Sequence, residues 1–228
     1  MKGRYFLYKG LAYEKKNDNQ AVLLNCKSIL GYFATYFSIK SNYEFERIVQ
    51  IPQVVIDDEN VYREVVSICK GVFENTQIEE IFIPQGILDI GWEFWNCRKL
   101  RKIHIHNLNP AYCDIDGVVY SKNMKTLVFY PNNYGEEYRV NDLTEHIGNM
   151  AFKDAQSLKV LYFPRSIRTI GINAFYNCRN LLDVFLPGTI KILYDNTTAN
   201  YSTSARFHYK NRIWTWKDLY DHLKTPLF

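Results

Sequence analysis

The stretch Leu161-Tyr162-Phe163-Pro164, followed by Ile170-Gly171, Ala174-Phe175, Cys178 and Leu181, decides how this chain folds. It is an apolar-x-apolar run stopped by proline, then Ile-Gly, then a Phe, then a Leu. The same phrase stands earlier as Ile81-Phe82-Ile83-Pro84, Ile90-Gly91, Phe94 and Leu100, and Leu181 opens a further copy at Val184-Phe185-Leu186-Pro187. Phe163 to Leu186 is a step of 23 residues, and Ile83 to Ile105 is one of 22. Recurrence at this period is the mark of a stacked solenoid, in which one repeat cannot bury its own apolar face and only its neighbours complete the core. The functional question shifts accordingly from a pocket to an extended surface.

Aligned on the residue before the strand-ending proline, the copies fall at Ile51, Ile83, Ile105, Tyr130, Phe163 and Leu186, with His106 in the proline position of the third. This places the repeats at residues 45–195. Between Ile105 and Tyr130 the copy is rebuilt, with a hairpin insertion at about 107–131: Asp116-Gly117 precedes Val118-Val119-Tyr120, and Thr126–Tyr130 follows as a strand. Asp-Gly before a β-branched pair is a strong hairpin signal. Asp114-x-Asp116-Gly117 lacks the downstream bidentate Glu of a calcium loop.

Both ends depart from the phrase, as the terminal coils of a solenoid must if apolar surface and open strand edges are to be covered. Residues 1–44 read as an N-terminal β cap: Phe6-x-Tyr8, Leu11-Ala12-Tyr13 and Ala21–Leu24 form short strands around Asn17-Asp18-Asn19. Residues 196–228 read as a C-terminal cap. There Thr215 and Asp218 form a capping-box variant, and Trp216, Leu219, Tyr220 and Leu223 share one helical face. The fold class expected is an α/β solenoid, mostly β: a right-handed coil with short strands forming one sheet face, a β-hairpin cap and a helical cap.

Composition narrows the function. Of 228 residues 47% are hydrophobic, enough for a sizeable core, and 28 basic against 24 acidic residues are spread without a polybasic block, which argues against nucleic acid as a partner. The five cysteines include no CxxC pair, and Cys97 and Cys178 each sit inside Asn-Cys-Arg, so both are expected to face the interior as small apolar groups rather than as disulfide or zinc ligands. No apolar run resembles a signal-peptide core or approaches the roughly 20 residues of a membrane span, and localisation stays open. The sequons at Asn196 and Asn200 matter only in a glycosylating pathway.

Strand alternation points Ile81 and Ile83 inward and Phe82 outward. The same register gives an outward column of Gln50, Phe82, His104, Phe129, Tyr162 and Phe185, flanked by Glu80, Lys102, Leu127, Val160 and Asp183. An exposed aromatic column is either a ligand surface or a cross-strand ladder that stabilises the sheet. A ligand there is a protein or a glycan. His104 and His106 alternate on one strand but no third metal ligand accompanies them, and no GxSxG, phosphate-cradling glycine loop or HExxH is present. The expectation is a chain that is not an enzyme, with neither metal nor cofactor, and with either a binding or a self-assembling role.

The run Ile170-Gly171-x-x-Ala174-Phe175-x-x-Cys178-x-x-Leu181-x-x-Val184-x-Leu186-Pro187 resembles the BspA-like, or Treponema-pallidum-type, leucine-rich repeat. The hairpin copy from Asp116 to Pro131 is similar to that family too. The resemblance implies the solenoid fold and a place among bacterial proteins that are commonly at the cell surface or secreted and bind host proteins or other cells as adhesins.

Overall fold

The computed structural model describes residues 5–8, 11–24, 47–90, 94, 96–190, 192–193 and 205–223. Gly91, Cys26 and both sequon asparagines lie outside the described residues. The chain is a mostly-β solenoid. Strands are numbered in chain order. The N-terminal cap is a five-stranded sheet of β1 (Tyr5–Tyr8), β2 (Leu11–Asn17), β3 (Gln20–Leu23), β6 (Tyr62–Ile68) and β5 (Val54–Ile56). The first three run antiparallel, and β3 joins β6 in parallel. Tyr13, Ala21 and Leu23 are buried in the same cluster as Val65, Ile81 and Phe94, so this sheet covers the first turns of the coil.

Each turn of the coil contributes a front strand. β4 (Ile48–Gln50), β7 (Glu80–Ile83) and β8 (Lys102–Ile105) pair in parallel, with Gln50, Phe82 and His104 in register. β12 (Glu137–Arg139), β14 (Val160–Tyr162), β16 (Asp183–Phe185) and β18 (Arg206–Tyr209) form a second parallel set, with Arg139, Tyr162, Phe185 and His208 in register. A second ladder runs behind through β11 (Thr126–Phe129), β13 (His146–Ile147), β15 (Thr169–Ile170) and β17 (Ile192–Leu193). The coil therefore continues past residue 195: Arg206-Phe207-His208-Tyr209 carries neither proline nor Ile-Gly, yet it sits one full period after β16. β19 (Arg212–Trp214) turns back on β18, and α1 (Trp216–Leu223) closes the end with Trp216 and Leu219 buried. Its start is held as expected, the Asp218 N–H donating to Thr215 Oγ1 at 3.2 Å and the Thr215 hydroxyl to Asp218 Oδ2 at 2.7 Å.

The recurring phrase has a physical reason at each position. Phe94, Phe152 and Phe175, with Leu100, Leu158 and Leu181, are all buried. The rings stack from turn to turn, Phe73 on Phe94 at 5.6 Å and Phe152 on Phe175 at 5.7 Å between centroids. The Gly of Ile-Gly lets adjacent turns close up: a Cβ on Gly171 would sit 2.7 Å from the Asn149 nitrogen. In Asn-Cys-Arg the Asn takes the left-handed conformation (φ 56° at Asn96, 59° at Asn177), which its short polar side chain tolerates. The Cys thiol then donates to the carbonyl of the Phe one turn back, Cys97 to Phe73 and Cys178 to Phe152. The Arg Nε donates to the Asn Oδ1. Burial pushes both thiols up to about 12, so they remain protonated.

The expectation of one sheet face is corrected at β8. The hairpin of β9 (Tyr112–Ile115) and β10 (Val118–Ser121) brings its tip against the free edge of that strand. The Ile103 N–H donates to the Gly117 carbonyl at 3.0 Å and the Ile105 N–H to Asp114 Oδ1 at 2.8 Å. Those edge groups are satisfied by the hairpin rather than by another parallel strand, so the front sheet stops and restarts at β12. Gly117 (φ 92°) is required there, since a Cβ would meet that of Lys102 at 2.6 Å.

β10 and β11 beyond the tip divide the core. Val119 and Phe129 face the N-terminal cluster, whereas Val118, Tyr120, Leu127 and Tyr130 face the C-terminal one. Phe129 packs on Phe94 at 5.5 Å and Tyr130 on Phe152 at 5.1 Å, so adjacent residues end two ring ladders. Buried hydroxyls fix the segment that follows, Tyr120 to Tyr138 at 2.6 Å and Tyr130 to the Gly135 carbonyl at 3.0 Å.

Two outcomes are expected. Phe175 touches Phe152, Phe207 and Trp216, so Phe175→Ala should destabilise the fold by about 3–5 kcal/mol, read by chemical denaturation. In the N-terminal cap the Asp57 side chain is buried, which by itself raises its pKa. The Val61 N–H, Arg63, the Glu59 N–H and Lys15 outweigh burial and hold the carboxyl at about 2. A depressed folded pKa stabilises above the unfolded value and is lost as pH falls through the folded one. Stability should therefore decline between about pH 4 and pH 2, and acid titrations of thermal melts should show a shallower decline in Asp57→Asn.

Candidate interaction face

Alternation on the front strands turns one residue per rung outward, and parallel pairing brings those residues into line about 4.8 Å apart. On the C-terminal sheet they form a continuous stack of planar groups. The Arg139 guanidinium carbon lies 3.8 Å from the Tyr162 ring centroid. Tyr162 stacks on Phe185 at 4.8 Å and 8°, and Phe185 on His208 at 4.3 Å and 13°. Ile213, 65% exposed, lies opposite His208 on β19. The N-terminal sheet carries a shorter version, in which Phe82, 40% exposed, stacks on His104 at 4.4 Å and 21°.

The flanking column is mostly charged. Asp183 accepts from Arg206 Nε at 2.8 Å and Nη2 at 2.5 Å, and lies 2.6 Å from His208 Nε2. Arg206, and after it His208, hold the Asp183 carboxyl below the ordinary carboxylate range against the opposing effect of partial burial. Glu80 meets His104 Nε2 at 3.2 Å, the same arrangement one sheet earlier. Lys102 has no ion-pair partner among the described residues. Val160 is half-buried beside Asp183.

Of the outward column read from sequence, Gln50, Phe82 and His104 come together on one sheet and Tyr162 and Phe185 on the other. Phe129 is a correction. It is 7% exposed and points into the core against Phe94, because β11 belongs to the rear ladder and its alternation runs from Leu127, one residue out of step with the proline used to align it. Leu127, placed in the flanking column, is fully buried for the same reason. Arg139 and His208 take part in the stack and were missed. Their signal was the 23-residue step itself, from Tyr162 back to Arg139 and from Phe185 on to His208, in copies that lack the strand-ending proline. His106 lies past the end of β8, where its Nδ1 accepts the Leu108 N–H at 3.2 Å.

The face offers ring edges, guanidinium and imidazole groups and an exposed apolar rim. The stacked rings cover one another's faces, so the surface a partner meets is mainly their edges. No helix among the described residues is long and apolar enough to cross a membrane.

No curated relative matches the sequence. Solved structures that resemble it include the pneumococcal vaccine antigen PcpA, with 15% identity over 83% of this chain and 71% of that one, at a TM-score of 0.41. A leucine-rich repeat protein of Bacteroides ovatus shares 21% identity over 89% of this chain and 52% of that one, at 0.48. The leucine-rich repeat protein of T. pallidum shares 17% over 90% and 68%, at 0.35. A family model described as the BspA type leucine rich repeat region matches residues 34–130 and 122–218, in six copies. With the phrase, the stacked turns and that match in agreement over most of its length, the chain belongs to the BspA-type leucine-rich repeat family.

Proposed function

We propose that this chain is a non-catalytic binding module that recognises a protein partner, in an adhesin-like manner, through the front face. The residues are Phe82 and His104 on the first sheet and Tyr162, Phe185 and the newly placed Arg139 and His208 on the second. The observation that carries the reading is the stacked column with an exposed apolar rim. An apolar strip with polar tips suits a protein interface, where aromatic and Arg groups supply the anchors. Face-to-face stacking argues against the glycan alternative, because a sugar ring packs on an open aromatic face and these faces are covered by their neighbours. Glu80, Lys102 and Asp183 in the flanking column would orient a partner more than hold it, since exposed pairs contribute little.

Surface plasmon resonance of the chain against purified extracellular proteins and an oligosaccharide array tests this. Binding to a protein is expected, lost by about tenfold or more when Tyr162 and Phe185 are both replaced by Ala in a chain that still melts cooperatively. A protein ligand held equally well by that double variant would move the site to the turns or the caps, and oligosaccharide binding alone would favour the glycan reading.

A further inference from the structure

The two front sheets carry the same two-rung pattern. β7 reads Glu80-Ile81-Phe82 beside Lys102-Ile103-His104 of β8, and β16 reads Asp183-Val184-Phe185 beside Arg206-Phe207-His208 of β18. In both, an acid sits opposite a base, a phenylalanine ring stacks on an imidazole, and the imidazole Nε2 reaches the acid of the preceding rung. The order is acid then base in each sheet, so the face is complementary to itself when that order is reversed.

We propose that this face docks on the same face of a second copy of the chain, as a twofold dimer registered by these charges. The inference rests on the reading of the front face as an interaction surface. A twofold axis lying in the face and parallel to the strands reverses the rungs while keeping each column on itself, and such isologous contacts are the commonest closed form of self-association. Glu80 then meets Arg206 of the second copy and Lys102 meets its Asp183. Phe82 meets His208 of the second copy, and His104 meets its Phe185. The four contacts share one reversal, since β7 and β8 are adjacent rungs of one sheet and β16 and β18 adjacent rungs of the other. An axis that kept the rung order would set acid rungs against acid rungs.

Two features of the free chain fit this occupant. Lys102 stands on the face without an ion-pair partner among the described residues, opposite the position Asp183 would take. Phe82, one rung in from Gln50, and Ile213, one rung beyond His208, are 40% and 65% exposed, and reversal brings both under cover.

Sedimentation velocity of the full chain across a concentration series is the test. A monomer–dimer equilibrium is expected, weakened about tenfold or more by Lys102→Glu, which places like charges together across the interface. Asp183→Lys should weaken it similarly, and the double variant Lys102→Glu with Asp183→Lys should restore it. Lys102→Glu removes no ion pair within the described chain, so its result decides even if Asp183→Lys fails to fold, which thermal melts would show. A parent that stays monomeric overturns self-docking, as does a dimer indifferent to Lys102→Glu or a folded double variant that remains monomeric. A monomeric parent that still binds a purified protein through Tyr162 and Phe185 overturns the dimer alone and leaves the face as a binding surface.

Discussion

One aromatic ring per turn, stacked on the ring of the turn before, is the constraint around which the rest of this molecule is arranged. A turn of about 23 residues encloses too little volume for a core of its own, and its interior is completed only by the ring above and the ring below. The ring-to-ring distances of 5.6 and 5.7 Å are close to the strand spacing of a sheet, so the front strands and the rear ladder pair in step with the rings. The glycine that permits close approach, the left-handed asparagine and the thiol bound to a phenylalanine carbonyl are local answers to that same pitch. At the C-terminal end the ladder is closed by the Trp216 indole, edge-on to Phe175 at 5.7 Å.

The interior was legible in the sequence because its residues keep constant offsets from one another. Phe94, Phe152 and Phe175, their leucines, and Cys97 and Cys178 all fall where the phrase puts them. The helix over Trp216–Leu223 was legible from its capping pair and its apolar face. Proline proved a poor anchor. Pro131 follows a strand that looks like the others, but that strand is held antiparallel to β10 and delivered to the rear ladder, which inverts the facing of Phe129. No local signal in Thr126–Pro131 distinguishes the two fates, since an alternating strand has the same pattern on either side of a coil. Arg139 and His208 were obscured for the opposite reason: their period is intact but their copies lack the proline and the Ile-Gly.

The face itself follows from the same stacking. Groups repeated at the pitch of a parallel sheet pack on one another before they pack on anything else, so the outward column is rigid in the free chain. A partner meeting it pays little ordering entropy for these side chains. The stack is nevertheless divided, because Asp114 and Gly117 satisfy the edge of β8 and so prevent the next front strand from joining it.

Phe129 and Tyr130 carry a consequence for how the chain gains and loses its structure. In a linear array of turns, order passes only between nearest neighbours, and the strength of each contact sets how far cooperativity reaches. Within the C-terminal half that contact is a broad one, made of paired strands on two sides and a stacked ring between them, and in the N-terminal half it is made of the front strands and the ring. At the hairpin it narrows to β10, β11 and two adjacent aromatic side chains that point opposite ways. The solenoid is thus two cooperative blocks joined by a single coupling, and that joint sets whether they melt as one unit or as two.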